Sequence, residues 1–501
     1  MNIFPSVVEN IANHAADKPD KLALADSRQA MTYGDLWKCI YGLSRKFKEM
    51  GMGYGKCAVV ECNQSVDYMI CDMAVQLLGG IFVPLEKNAA ASRVVEIITD
   101  TEAVIYVSKE PPAGQLPDGI NPVFHNIDDC PSFKWDGEIP RLSFPMPDDV
   151  CEILFSTGTT GKSKGIVLTH GNDIAIAENV IYGVRMKEDN VEMIPMPTSH
   201  SHGLRRTYSN LVNGSSVVFA DGVTLLKKVF NMIEQYHVTS MDLSPSMLSI
   251  IFKLSKNRLG DYAGQMDYIQ LGSAPLPEED KVHLSEILPE TRLYNFYGST
   301  EAGCSCLLDF NSMSGKPGCI GRPAVNANFI VVDENRKEIE SSIDNPGFLA
   351  SSGAINMKEY FKSPELTEAT MSNGFVYTKD LGYIDDEGLV YMLGRKDDVI
   401  NYGGIKISPE EIESIIIKNP MVRDCACIPV KDALTGQAPK LLIALEDGAA
   451  EVYDAREFKS FLQENLDANK QPKFIEIIDE IPRTFNGKIK RNLLMDREKQ
   501  S

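Results

Sequence analysis

Ser156, Thr157, Thr159, Thr160 and Ser163 are interleaved with Gly158, Gly161 and Gly165 between two apolar runs, 153–155 and 166–168. Glycines let a backbone turn tightly and bring its N–H groups up to a ligand, while the hydroxyls with Lys162 and Lys164 add further donors. That chemistry suits a polyphosphate. Gly161-Lys162-Ser163 mimics the end of a Walker A loop, but Ser156 stands where the first glycine of that pattern belongs. The run 166–168 also continues as a strand, where a Walker loop needs a helix. A polar surface hairpin is the bland alternative, so the rest of the chain has to decide.

Three more stretches carry chemistry. In Tyr294-Asn-Phe-Tyr-Gly-Ser-Thr-Glu301 a flat aromatic, Tyr297, could stack on a purine, Thr300 could bond a phosphate, and Glu301 could hold Mg²⁺ through oxygen. In 377–398, Asp380 is suited to accept from two ribose hydroxyls, with Arg395 as a further donor. In 482–491, Gly487-Lys488 puts an ammonium on a compact turn. Each alone has an ordinary reading, respectively a core strand ending in a turn, a solvated turn and a basic tail.

The elements that must position these groups alternate. Short apolar runs such as Leu22-Ala-Leu-Ala25, Cys57-Ala-Val-Val-Glu61, Ser216-Val-Val-Phe219 and Tyr268-Ile-Gln-Leu271 read as strands between helices near 66–78, 172–182, 225–234 and 247–254. This spacing predicts an α/β fold with largely parallel sheets. From 318 to 395 the texture is β-rich with Gly and Asp turns. Ser408-Pro-Glu-Glu-Ile then opens a helix with an N-cap serine and a proline at N1. A boundary near 396–398 divides the chain into 1–396 and 397–501. At 501 residues, 43% hydrophobic and 24% charged, the chain reads as a soluble multidomain protein. Its net charge of −20 speaks against a broad nucleic-acid or anionic-membrane surface. The eleven cysteines have no zinc-site spacing and read as buried reduced thiols. With no secretory signal pattern or membrane-length apolar run, a cytoplasmic location is expected.

Taken in order, these stretches resemble the adenylate-forming superfamily along almost the whole chain. The family comprises acyl- and aryl-CoA synthetases, adenylation domains of nonribosomal peptide synthesis and insect luciferases. Leu78-Gly-Gly-Ile-Phe-Val-Pro84, Gly272-Ser-Ala-Pro-Leu276 and the stretch 401–413 are similar to further family motifs. The resemblance implies a large N-terminal domain of α/β sheets plus a β-barrel-like part, and a small mobile α+β C-terminal domain. It assigns Ser156, Thr157, Gly158, Thr159, Thr160, Gly161, Lys162 and Lys164 to the phosphates of ATP. Gly272, Ser273, Ala274 and Tyr297 go to adenine, with Asn295, Phe296, Gly298, Ser299 and Thr300 completing the nucleotide site. Asp380 and Arg395 fall on ribose, Glu301 on Mg²⁺, Lys488 on the catalytic lysine and Asp397 on the hinge. Gly403, Gly404 and Lys406 fall on the passage for a phosphopantetheine arm.

His200, Gly203 and Leu204 occupy the family's acyl-pocket motif. There His200 would stand beside the reacting carboxylate as hydrogen-bond donor or gate, with His202 as a structural neighbour. No aspartate lies between Pro197 and Arg206, which disfavours an amino acid. Arg205-Arg206 is unusual at this place; one arginine pairs with a second carboxylate of the acid, or both meet solvent or acidic neighbours. The His-x-His-Gly-Leu pattern also resembles the malonate-activating branch. Lys379 and Lys162 depart from the family's usual residues without removing a ligand. The implied activity is carboxylate plus ATP giving acyl-AMP and pyrophosphate, then transfer to a thiol, with coenzyme A as acceptor and a small carboxylic acid as partner. The alternatives are delivery to a separate carrier protein and a non-catalytic nucleotide-binding regulator. Retention of Lys488, Glu301 and Asp380 speaks against the latter.

Overall fold

The computed structural model describes residues 2–157, 163–274, 276–313, 315–396, 398–402, 405–432, 434–451, 453–466, 470–484 and 487–500, the side chains of 156, 157, 163, 401, 405, 406, 499 and 500 excepted. Three sheets carry the fold. In the 7-stranded sheet, Cys57–Glu61, Ile81–Leu85, Ile105–Ser108 and Val123–Asn126 pair in parallel. The antiparallel pair Val150–Thr157 and Ser163–Thr169 extends it, and Glu359–Tyr360 forms its edge. The strands read as near-continuous apolar runs because helices cover both faces. Val59 and Val83 point out to Val94, Ile97 and Ile98 of the helix Ala91–Thr101, while Ala58, Val60 and Phe82 point into the main core. That is the two-residue alternation of a strand.

The 14-stranded sheet places Leu22–Ala25, Ser216–Phe219, Val191–Ile194, Ser240–Leu243, Tyr268–Leu271 and Arg292–Ser299 side by side in parallel. Beyond Arg292–Ser299 it turns antiparallel. This second half is the part expected to be barrel-like. It is an open extension of the same sheet, and among the described residues it does not close into a barrel.

One helix, Ser201–Asn213, lies between the two large sheets, and every residue from Gly203 to Asn213 is buried. Its sequence, Ser-His-Gly-Leu-Arg-Arg-Thr-Tyr-Ser-Asn-Leu-Val-Asn, surrounds one apolar row, Leu204, Tyr208, Leu211 and Val212, with polar residues and gave no helical expectation. The apolar row packs in the main core, and the polar side chains find partners in the interior. Thr207, Ser209 and Asn210 donate to carbonyls one turn back, and Tyr208 donates to Asp72. Adjacent residues of a helix point about 100° apart. Arg205 therefore reaches the smaller sheet, bonding Glu152, and Asp173 of the helix His170–Gly183 at 2.7 Å, while Arg206 reaches Glu192, Gln270 and Tyr268 of the larger sheet. The arginines are 1% and 0% exposed, so neither is available to a second carboxylate of an acid. Of the two expectations for them, the acidic neighbours hold, inside the protein.

The third sheet belongs to a smaller domain with its own cores, built from residues between Ile400 and Leu494. Pro409 opens its helix Pro409–Ile416 as expected, but the Ser408 hydroxyl donates to Glu410 at 2.8 Å and does not cap the backbone. Arg491, absent from the sequence expectations, ties this domain together through Glu410 at 3.0 Å, Glu413, and the carbonyl of Cys427 at 3.1 Å. All the cysteines are free, and all but Cys304 are buried. No group of metal-binding side chains and no helix long and apolar enough to cross a membrane occurs among the described residues.

Arg205→Ala leaves Glu152 and Asp173 buried without their cation and is expected to cost about 3–5 kcal/mol in chemical denaturation. Burial pushes the Asp72 carboxyl up to about 7. A raised folded value means stability that is full below the unfolded value near 4 and is lost as pH rises through 7. Asp72→Asn is therefore expected to flatten the decline of the melting temperature between about pH 4 and 7.

Candidate active site

The candidate residues gather where parallel strands of the larger sheet end, the position at which open α/β sheets bind ligands. Tyr268–Leu271 runs into Gly272-Ser-Ala274, Ser240–Leu243 into the helix Pro245–Ser255, and Arg292–Ser299 into the turn holding Thr300 and Glu301. Gly298 is required in that hairpin, since a Cβ there would meet the carbonyl of Gly303 at 2.0 Å.

Asp380 and Arg395 are direct cross-strand partners in the antiparallel pair Phe375–Ile384 and Val390–Arg395, with Arg395 Nε 3.6 Å from the carboxylate. The turn at Asp385 starts the pairing by accepting from the amides of Glu387 and Leu389, and a bulge between Leu381 and Gly382 shifts the register so that Asp380 meets Arg395. The Tyr297 hydroxyl donates to the other oxygen of Asp380, and the ring leans on Phe329 at 6.2 Å. Burial raises the Asp380 pKa, opposed by Tyr297, Arg395 and Lys488.

Ser156 and Thr157 end one strand opposite Lys164 and Ser163 of the next, so the loop opens from a paired hairpin. Gly158, Thr159, Thr160, Gly161 and Lys162 lie outside the described residues. The Lys164 ammonium stands 5.9 Å over the ring of Tyr360. The Tyr360 hydroxyl donates to Glu301 Oε1 at 2.8 Å. The amides of Met357 and Phe361 bond the carbonyls of Glu301 at 2.8 Å and Gly165 at 2.7 Å. Tyr360 thus ties the strand Ser163–Thr169 to Glu301. Sequence reading missed it, because the pairing of Glu359–Tyr360 with the loop strand has no local signature.

Lys488 sits on a tight turn in which its amide donates to the Thr484 hydroxyl at 3.0 Å and its carbonyl accepts from the Thr484 amide at 2.8 Å. The turn abuts the N-terminus of the helix Pro245–Ser255. A Cβ on Gly487, whose φ is +80°, would meet Ser246 Oγ at 2.4 Å. Lys488 is exposed as a residue, yet protein crowds its ammonium. That desolvation, then the charge of Arg395, lowers its pKa, while Asp380 and Glu301 raise it. The turn from the small domain therefore brings its lysine among the three charged groups of the large one.

His200 precedes the central helix, and its pKa falls through burial and the nearby Lys488, with Glu86 opposing. Gly203 is required, because a Cβ would lie 2.6 Å from the carbonyls of Met196 and Pro197. Leu204 is 0% exposed in the main core, so its side chain packs in the interior and is not open to the acid as expected. Phe296 likewise points into the core toward Gly183, which removes its side chain from the nucleotide site. Asn295 is half-buried, and Gly298 and Ser299 are exposed beside Tyr297. Asp397, Gly403 and Gly404 lie outside the described residues. The backbone of Lys406 pairs with Asn401, and its side chain lies outside the description.

Residues 11–361 match the family described as AMP-binding enzyme, and residues 411–488 match the AMP-binding enzyme C-terminal domain. Relatives include 4-coumarate-CoA ligase 1 of Narcissus pseudonarcissus, 25% identical over 95% of this chain and 91% of that protein. Another is 2-succinylbenzoate–CoA ligase of Bacillus cereus, 25% identical over 95% of each chain. Among solved structures, ATP-bound MatB from Rhodopseudomonas palustris superposes with a TM-score of 0.88 at 24% identity, covering 98% of this chain and 99% of that one. With the family matching most of its length, this chain belongs to the AMP-binding enzymes.

Proposed function

We propose that this enzyme is an ATP-dependent acid–thiol ligase that converts a small carboxylic acid to its acyl-adenylate and then to the coenzyme A thioester. The observation that carries the reading is the packing of the Lys488 turn against Ser246, which sets the lysine within electrostatic reach of Asp380, Arg395 and Glu301. A carboxylate approaching an α-phosphate brings anion against anion, so fixed positive charge must stand between them. Lys488 is the cation on the small domain that reaches that point. The nucleophile is already ionised, so no general base is required and positioning supplies much of the rate. Asp380 and Arg395 would hold the ribose, and His200, kept neutral by burial, would donate to the acid without adding charge.

Glu301 suits Mg²⁺: Tyr360 holds one carboxylate oxygen, and the other takes no hydrogen bond from a described residue. Mg²⁺ usually takes one or two protein carboxylates with the rest of its shell from phosphates and water. Bound there, it would neutralise charge developing on pyrophosphate. The full-length relatives named as CoA ligases favour coenzyme A over a carrier protein. Rotation of residues 397–501 about Asp397 would withdraw Lys488 and bring up Gly403, Gly404 and Lys406 for the thiol, so one cleft would serve both steps.

ATP–pyrophosphate exchange across fatty, aryl, dicarboxylic and amino acids is expected to depend on one class of acid. Lys488→Ala is expected to lower that exchange by on the order of a hundredfold or more; undiminished exchange would remove Lys488 from the chemistry. Tyr360→Phe keeps the ring under Lys164 but frees Glu301. It is expected to weaken Mg²⁺ about tenfold, read as the metal dependence of ATP binding by calorimetry. An unchanged dependence would show that Tyr360 does not orient the metal ligand.

A further inference from the structure

The imidazole of His202 bridges two walls of the cleft. His202 Nε2 lies 2.8 Å from Asp242 Oδ1, and Nδ1 lies 2.6 Å from Ser273 Oγ. Asp242 is 0% exposed, also accepts from Gln270 at 3.0 Å, and stands 4.0 Å from Arg206 Nε. His202 and Arg206 are four residues apart, so they share a face of the central helix and both address Asp242. On the far side Ser273 holds a left-handed φ of +74°, which a non-glycine residue keeps only when its surroundings enforce it. The ring also lies flush with Gly272, where a Cβ would sit 3.0 Å from His202 Cε1.

We propose that His202 is a positioning residue that, held by Asp242, fixes Ser273 and with it the 272–274 loop in the shape that receives the nucleotide. This rests on the reading of the cleft as an ATP site. With Nε2–H donated to the buried carboxylate, Nδ1 is left as the acceptor for the Ser273 hydroxyl. The loop conformation is thereby tied to the central helix, which carries His202 itself and follows His200.

The test is calorimetric titration of ATP into the full-length protein, its Ser273→Ala and His202→Ala variants, and the double variant. Ser273→Ala is expected to weaken ATP about tenfold with an unchanged melting temperature, the loss expected of one well-placed hydrogen bond. Adding Ser273→Ala to His202→Ala is expected to cost nothing further, because the contact is already gone. Unchanged ATP affinity in Ser273→Ala, or fully additive losses in the double variant, would overturn the proposal. Ser273→Ala leaves the Asp242–His202 pair intact, so it decides the matter even if His202→Ala does not fold. Failure of the unaltered protein to bind ATP would instead overturn the ligase reading.

Discussion

Two neighbouring arginines on one buried helix hold the two large sheets together. Arg205 bonds Glu152, on the strand that leads into the glycine-rich loop, and Arg206 bonds Glu192 beside the strands that end at the cleft. Burying such charges is expensive, and apolar residues of similar volume often stabilise as well. What the ion pairs add is direction: each guanidinium fits few carboxylate positions, so helix and sheets have little freedom to slide. The helix follows His200 and carries His202 in its first turn, so both histidines hold a fixed place relative to the strand Val150–Thr157 and the 272–274 loop.

The same economy governs the cleft itself. The chain as a whole carries a charge of −20, yet Lys488 and Arg395 come within electrostatic reach of each other from separate domains. Asp380 and Glu301 offset them. The group contributed by the small domain is the only one whose position depends on how the domains meet. Ser246 packs close enough against Gly487 that a larger residue would push the turn away. Arg491, three residues after Lys488, anchors that turn to the body of the small domain, so the lysine moves with the domain.

Much of this was legible in the sequence where the signal is local. The strands Leu22–Ala25, Cys57–Glu61, Ser216–Phe219 and Tyr268–Leu271 fall on the expected residues, since apolar runs between glycine and proline turns announce them. Asp380 and Arg395 are assigned to one ligand by their types, and the hairpin sets them opposite each other. What escaped depends on tertiary context. The central helix carries polar residues around its short apolar row, and the partners that Arg205, Arg206 and Tyr208 need there are distant in sequence. Arg205 and Arg206 lay open to a substrate role because their acidic partners are remote in sequence; Leu204 and Phe296 sit in functional motifs but face the core. Tyr360 and Asp242 lie in segments whose neighbours cannot be guessed without the sheet order.

The central claim is that a carboxylate oxygen of the acid attacks the α-phosphate of ATP. An acid that supports turnover, labelled with ¹⁸O in both carboxyl oxygens, tests it most directly when the products are weighed by mass spectrometry. Attack at the α-phosphate predicts one ¹⁸O in AMP and none in pyrophosphate. Label in orthophosphate or pyrophosphate, or AMP without label, would contradict it.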